Sequence, residues 1–309
     1  MSWFGGKTFE PARDIPDLSG KVILVTGGNT GLGQETIHQL AAHNPTHIYL
    51  AARTASKAAS AIASIKSSLP DAQITHLPLD LTSFPSIAAA ASTFTAASPR
   101  LDILINNAGI MATPFALTPQ GHEVQFGTNH VGHFLLTRLL LPTLLKTAAE
   151  PGADVRIVNV SSAGHAMAPA GGIVWDQAGL EEFSTWRRYG MSKLANILFA
   201  RELARRYPNI TSTAVHPGVI LTDLYEPNKK SNVLIRLGVG LLGSFVMGTV
   251  QEGAKNQLWA ATARREEVRS GAYYVPVGKL SAGSRYAGNE KLAEQLWRWS
   301  EAEVERHGF

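Results

Sequence analysis

Cysteine is absent from the 309 residues of the chain. Its absence excludes disulfide bonds, thiolate metal sites, iron–sulfur clusters and cysteine nucleophiles. Any acid, base or nucleophile must therefore be an oxygen or nitrogen group. We also expect no metal site. Four histidines are candidate metal ligands, but their neighbours in the sequence do not complete a metal-binding pattern, so we interpret them as packing or polar surface residues: His130, His133, His165 and His216.

Charged residues are scarce, at 17% of the chain, whereas hydrophobic residues make up 45%. This composition is typical of a folded globular protein rather than of a disordered chain. The 28 basic and 24 acidic residues are spread along the sequence and leave a net charge of only +4. We therefore expect no nucleic-acid partner.

Long apolar runs are also missing. Residues 1–17 mix basic and acidic groups and contain no apolar core of the signal-peptide type. Residues 233–250 are apolar, but Arg236 and four glycines interrupt them, so they would make a short and poor membrane span. The chain is therefore expected in the cytoplasm.

Short β-branched runs alternate with helix-like segments along most of the chain. Strands are predicted at 21–26, 47–51, 73–78, 101–105, 155–160, 210–215 and 271–275. Helices are predicted at 31–43, 56–69, 83–97, 121–147, 186–207, 249–263 and 289–307. Because the strands are apolar throughout, the pattern indicates a doubly wound parallel α/β sheet with helices on both faces.

We interpret residues 1–309 as one domain, since the sequence has no polar linker, internal repeat or second core. Its parts would be an N-terminal arm over 1–20, the α/β sheet, and a substrate lid with a C-terminal extension over 223–309.

A glycine-rich turn, Thr26 to Gly33, joins the first predicted strand to the first predicted helix. Glycines at such a turn let the backbone approach a pyrophosphate, whose charge then lies at the helix N-terminus. A strand before the turn and a helix after it are the context that this motif requires. The turn therefore predicts a dinucleotide site.

The spacing Gly-x3-Gly-x-Gly (Gly27, Gly31, Gly33) is followed in order by Asn106-Asn107-Ala108-Gly109 and by Tyr189-x3-Lys193. With this series of motifs, residues 21–222 resemble the short-chain dehydrogenase/reductase family. Within that family, the segments Ile157-Val158-Asn159-Val160-Ser161-Ser162 and Ser192-Lys193-Leu194-Ala195-Asn196, together with the longer tail, look like the retinol dehydrogenase and carbonyl reductase branch. The resemblance implies a Rossmann fold and an oxidoreductase that uses a nicotinamide cofactor.

The resemblance implies four catalytic residues. Tyr189 would act as acid and base, because Lys193 lies one helical turn away and an ammonium lowers the pKa of a nearby phenol. Ser162, rather than Ser161, would polarise the substrate carbonyl. Asn129 would hold a water between Lys193 and solvent, or would simply mark a bent helix.

The resemblance also implies the cofactor contacts. At the end of the second strand an NAD site normally has an acid, but this chain has Arg53, so NADP(H) is expected. The glycine loop has Thr30 where many NADP-binding members carry a second basic residue. The full set of expected cofactor residues is Gly27, Asn29, Thr30, Gly31, Leu32, Gly33, Arg53, Asp80, Leu81, Asn107, Ala108, Gly109, Tyr189, Lys193, Pro217, Gly218, Ile220 and Thr222.

The expected reaction is hydride transfer between NADP(H) and the carbonyl or secondary alcohol of an apolar small molecule, with reduction of a ketone or aldehyde favoured. The alternatives are a non-catalytic NADP(H) sensor or scaffold and an enzyme of the same family acting on a C=C bond. Residues 233–250 would form a lid, a subunit interface or a membrane-surface contact, and the chain would be a monomer or homodimer. Trp175, Phe183 and Trp186 would wall the substrate site or pack on the sheet.

Overall fold

The computed structural model describes residues 7–220 and 248–309. The expected cofactor residue Thr222 and residues 233–247 of the expected lid lie outside the described residues.

An eight-stranded sheet runs through the described part of the chain, in the order β3-β2-β1-β4-β5-β6-β7-β8. Strands β1 to β7 pair in parallel, and β8 pairs antiparallel with β7. The strand bounds are β1 Val22–Thr26, β2 His47–Ala52, β3 Ile74–Pro78, β4 Ile103–Asn106, β5 Val155–Val160, β6 Ile210–Val215, β7 Tyr273–Val275 and β8 Lys279–Ser281. The predicted doubly wound Rossmann fold is confirmed; among the described strands, the three-residue β8 had no counterpart in the sequence pattern.

Helices cover both faces of this sheet. They are α1 Pro11–Asp14, α2 Gly31–Ala41, α3 Ala55–Ser68, α4 Phe84–Ala97, α5 Val124–Phe126, α6 Gly132–Ala148, α7 Thr185–Arg206, α8 Val250–Thr262 and α9 Glu290–Arg306. Alternate residues of β1 point to opposite faces, as the two-residue period of a strand requires. Leu24 joins the core beneath α4, α6, α7 and α9, whereas Ile23 and Val25 join the core beneath α2, α3 and α8.

Within residues 7–220 and 248–309, no helix combines the length and the apolar character needed to cross a bilayer.

The helix predicted over 121–147 is interrupted. It begins at Val124, where the Glu123 carboxylate accepts the backbone N–H groups of Gln125 (3.0 Å) and Phe126 (2.9 Å). A π turn over Gly127–Val131 then separates α5 from α6. The five residues of the π turn are too few to show a period of their own, so the sequence pattern predicts one continuous helix there.

Asp102, just before β4, ties together the starts of two central strands. Its buried carboxylate accepts the backbone N–H of Val22 (2.9 Å), the Arg100 guanidinium (2.7 and 2.9 Å) and the Lys21 ammonium (3.2 Å). Burial alone would raise the pKa of Asp102, but these donors outweigh it and hold the pKa below its usual value.

Asp102→Asn is expected to lower the free energy of unfolding at pH 7 by about 3 kcal/mol, because it removes a buried charge that is bonded by the buried Val22 N–H and by two partly buried cations. A carboxyl whose pKa is lowered by folding stabilises fully above its unfolded pKa and loses that contribution as the pH falls through the folded value. The difference from wild type should therefore shrink in acid. Urea unfolding at pH 7 and below pH 4 would measure it. The exposed change Asp71→Asn is the control, and a difference that does not vary with pH would contradict this account.

Candidate active site

A cleft of about 440 Å³ lies at the carboxyl ends of the parallel strands, where the direction of strand order reverses between β1 and β4. In open α/β sheets this edge is the usual ligand site. Every expected cofactor residue in the described part of the chain lines this one cleft, including segments more than 150 residues apart in sequence.

The glycine loop follows β1 and can only be built from glycine at its key positions. Gly27 and Gly31 have positive φ angles, +65° and +52°. A Cβ on Gly33 would lie 2.3 Å from the Gly27 carbonyl oxygen and 2.6 Å from Asn107 Nδ2. The N-terminus of α2 therefore packs directly against its own loop, and the loop backbone forms a cradle at a helix N-terminus, a position at which proteins commonly bind phosphate groups.

The loop after β4 is bonded to the end of β1. Thr26 Oγ1 accepts the backbone N–H groups of Asn107 and Ala108, both at 3.0 Å, and Asn107 Nδ2 donates to the Thr26 carbonyl at 2.8 Å. Because these groups are satisfied by each other, the two loops form one rigid wall of the cleft.

Two cations stand at the end of the cleft beside β2. Arg53 is 72% exposed, and its Nη1 lies 4.0 Å from Asp80 Oδ2, a contact that is weak in solvent. Lys57 also lines the cleft. It lies in the first turn of α3, and that turn contains no acidic residue. Sequence analysis missed Lys57. The available signal was its place three residues into a helix that begins just after Arg53, since helical side chains tilt toward the N-terminus.

Tyr189 and Lys193 lie in α7 and are both buried, each 4% exposed. The Lys193 Nζ lies 5.9 Å from the centroid of the Tyr189 ring and donates to the Val160 carbonyl at 3.0 Å. Burial lowers the pKa of Lys193 to about 8. The i, i+4 spacing thus places a readily deprotonated amine beside the phenol ring.

The two serines after β5 have different surroundings. Ser161 is buried, and its hydroxyl donates to the Lys193 carbonyl at 2.7 Å. Ser162 is half-buried, and its Oγ accepts the Gly164 N–H at 3.0 Å, which leaves its own proton to donate. The structure therefore favours Ser162 as the serine that could bond a ligand.

Two further glycines, which sequence analysis missed, let the turn after Ser162 touch α7. A Cβ on Gly164 would lie 2.9 Å from Tyr189 Cε1, and one on Gly190 would lie 2.8 Å from the Gly164 carbonyl oxygen. The signal in the sequence was the glycine directly after Tyr189. These close approaches bring Ser162 and Tyr189 to the same side of the cleft.

Asn129 lies in the π turn, is fully buried and does not reach the cleft lining formed by the described residues. Its Nδ2 donates to the Ile110 carbonyl (3.0 Å) and to Ser192 Oγ (2.9 Å), and its Oδ1 accepts the Ile110 N–H (2.8 Å). Its carbonyl accepts from His133 Nδ1 at 3.0 Å. The side chain thus holds the loop after β4 against α7, and the expected water-binding role remains a prediction.

A buried ion pair supports α7 one residue before Tyr189. Arg188 Nε donates to Glu123 Oε1 at 3.1 Å, and the same guanidinium donates to the carbonyls of Thr113 (3.2 Å) and Phe183. Burial raises the pKa of Glu123. Arg188 thus joins α7 to Glu123, just before α5, and to the Thr113 carbonyl in the segment after β4.

The aromatic residues considered as a substrate wall lie elsewhere. Trp175 is 37% exposed and packs near Trp299, with 5.9 Å between ring centroids. Phe183 packs against the main core, and Trp186 is 36% exposed. Among the residues that the structure describes, none of these three lines the cleft.

Comparison with known proteins gives the class. A family model described as short chain dehydrogenase matches residues 21–232. The chain is 40% identical over 308 residues to short-chain dehydrogenase/reductase drtF of Aspergillus calidoustus, covering 94% of this chain and 96% of that protein. It is also 40% identical over 286 residues to retinol dehydrogenase 12 of Mus musculus, covering 92% of this chain and 86% of that protein.

A solved structure, the NADPH-bound carbonyl reductase from chicken fatty liver, matches 85% of this chain and 98% of its own, with a TM-score of 0.62 and 25% identity. The chain belongs to the short-chain dehydrogenase/reductase family and is retinol dehydrogenase-like. It is an oxidoreductase of a family that binds nicotinamide cofactors.

Gly33→Ala is expected to weaken nicotinamide dinucleotide binding at least tenfold, because the new methyl group would push the glycine loop away from α2 and Asn107. Titration of intrinsic fluorescence with NADPH and NADH would measure the loss. Gly288→Ala is the matched control, since a Cβ there meets no atom within 4 Å. Unchanged affinity in the Gly33 variant would show that this cradle is not the dinucleotide site.

Proposed function

We propose that this protein is an NADP(H)-dependent carbonyl reductase that reduces a ketone or aldehyde group of an apolar small molecule and runs in reverse on the corresponding alcohol. One observation carries the proposal: Ser162, Tyr189 and Lys193 line the same cleft as the glycine loop. A protein that only senses a dinucleotide needs neither Ser162 in this cleft nor the buried phenol of Tyr189 beside the buried amine of Lys193.

The cradle formed by the glycine loop and Asn107 would hold the pyrophosphate, and Lys193 would hold the nicotinamide ribose. When bound, the nicotinamide supplies a hydride for reduction or accepts one in oxidation. The Val160 carbonyl takes only one of the three donors of the Lys193 ammonium, so the others are available for the ribose and for water.

The substrate oxygen would accept hydrogen bonds from Ser162 and Tyr189. Ser162 polarises the carbonyl with the proton that its bond to Gly164 leaves available. Tyr189 transfers its proton to the oxygen as negative charge develops there, and the nearby Lys193 ammonium stabilises the phenolate that remains. Because the pKa of Lys193 is lowered to about 8, this amine can pass a proton back to Tyr189 near neutral pH.

The preference for NADP(H) is supported by the two cations beside β2. Arg53 directly follows β2, where no carboxylate precedes it, and Lys57 supplies the second basic group that the glycine loop lacks. The related carbonyl reductase from chicken fatty liver is described with NADPH bound. A guanidinium and an ammonium at a helix N-terminus suit the 2′-phosphate of NADP(H).

An apolar substrate is supported by the wall next to Tyr189. Ile110, Met111 and Val124 line the cleft, and Met111 and Ala112 pack with Tyr189 in a small apolar cluster. Apolar walls with a few directed polar groups are typical of sites for hydrophobic small molecules. The relative retinol dehydrogenase 12 bears the name of such a molecule.

Tyr189→Phe is expected to reduce turnover at least 100-fold while the dissociation constant for NADPH stays within about threefold, because only the phenolic proton is removed. Absorbance of the reduced nicotinamide would be followed across a panel of apolar ketones, aldehydes, alcohols and conjugated alkenes. Tyr207→Phe, a tyrosine outside the cleft lining, is the control. Binding of NADPH by wild type with no turnover on any carbonyl or alcohol would support the sensor, and turnover confined to alkenes would support C=C reduction.

Arg53→Ala and Lys57→Ala are each expected to raise the dissociation constant for NADPH about tenfold and to leave that for NADH within about twofold, since each removes one charge-assisted contact to the 2′-phosphate. Isothermal titration with both cofactors measures this ratio. Lys66→Ala changes the same charge at the far end of α3 and serves as control. Equal losses for both cofactors would refute the phosphate contact.

A further inference from the structure

His165 lies three residues after Ser162, in a 3-10 helix over Ala163–Met167, and is 5% exposed. Its Nδ1 lies 2.6 Å from the Ser162 carbonyl oxygen, which also accepts the backbone N–H of His165 at 3.1 Å. The residue thus bonds the peptide group of Ser162 twice.

The other side of the ring determines the protonation state. His165 Nε2 lies 2.8 Å from the backbone nitrogen of Ser284, and because a backbone N–H can only donate, Nε2 must accept. The proton of the neutral ring is therefore on Nδ1 and donates to Ser162. Burial lowers the pKa of His165, which favours this neutral form.

The ring is also fixed from the side. It packs edge-on against Tyr273 of β7, with 5.0 Å between ring centroids, and a Cβ on Gly283 would lie 3.1 Å from Nε2. The segment after β8 is bonded to the same region a second time, since the Tyr286 hydroxyl accepts the Gly171 N–H at 2.8 Å. His165 therefore joins the Ser162 turn to the C-terminal extension.

We propose that His165 is a positioning residue for Ser162: its Nδ1–H fixes the peptide group after Ser162, and with it the direction of the Ser162 hydroxyl toward the substrate oxygen. The same turn carries Gly164, whose N–H donates to Ser162 Oγ and where a Cβ would lie 2.9 Å from Tyr189 Cε1. A rotation of this peptide would change the geometry of Ser162 relative to Tyr189. This inference rests on the proposed function, because Ser162 must act on the substrate for its direction to affect the rate.

Two substitutions distinguish the hydrogen bond made by Nδ1 from the one made by Nε2. In His165→Asn the amide nitrogen replaces Nδ1 and can still donate to Ser162, but it cannot reach Ser284. In His165→Gln the amide reaches the position of Nε2 and can still accept from Ser284, but it leaves Ser162 without its donor. We expect kcat within about threefold of wild type for the Asn variant and about tenfold lower for the Gln variant, with KM for NADPH unchanged in both.

A merely structural role predicts a different order. If His165 only anchors the extension, the Gln variant would retain more activity than the Asn variant, or both would lose thermal stability and kcat together. Either result would overturn the proposal. His130→Gln is the control for loss of a buried histidine, because His130 bonds Ser300 on α9 and does not touch the cleft.

Ser162→Ala, alone and combined with His165→Gln, separates this proposal from the proposed function. If the proposed function is right, Ser162→Ala alone reduces kcat strongly. An unchanged kcat in Ser162→Ala would refute both the proposed function and the positioning role of His165. If His165 acts through Ser162, adding His165→Gln to Ser162→Ala changes kcat by less than twofold. A full further tenfold loss in the double variant would overturn the positioning role and leave the proposed function intact.

Discussion

Helix α7 is bonded to the end of strand β5 at one backbone carbonyl. Lys193 Nζ and Asn196 Nδ2 both donate to the Val160 oxygen at 3.0 Å, and Ser161 Oγ donates back to the Lys193 carbonyl at 2.7 Å. All of these groups are buried, where losing one partner costs about 1–3 kcal/mol. The position of Tyr189 relative to the turn after β5 depends on this junction, and the rest of the site is arranged around it.

Positive charge is used in two different ways along the cleft. Arg53 and Lys57 are exposed, so their charges are hydrated and suited to a phosphate that arrives from solvent. Lys193 is buried, and its pKa is lowered to about 8 because burial penalises the charged form. In the proposed mechanism the exposed pair binds a phosphate, whereas the buried Lys193 returns a proton to Tyr189.

Much of the fold could be predicted because most of its strands stand out in the sequence as short, continuous apolar runs. A parallel sheet buried on both faces requires continuous apolar runs, and the glycine loop, the loop Asn106-Asn107-Ala108-Gly109 and the serine pair at 161 and 162 each lie at the end of one of them. The motifs therefore had to meet at one edge of the sheet, and the expected cofactor residues within the described chain do line one cleft. The π turn at Gly127–Val131 and the short strand β8 were not predictable, since segments of five and three residues are too short to show a period.

The sequence by itself determined the succession of strands and helices along the chain, the glycine loop and the placement of Tyr189 and Lys193 on one helix face. These features follow from local periodicity and from the spacing of residues on one helix. Only the tertiary structure decided which groups meet across segments distant in sequence. The contact of Gly164 with the Tyr189 ring, the place of Lys57 in the cleft wall and the link from His165 to the C-terminal extension are of this kind. Such contacts depend on how separate elements pack, and a local signal such as the place of Lys57 in the first turn of α3 does not by itself say which distant segment the residue meets.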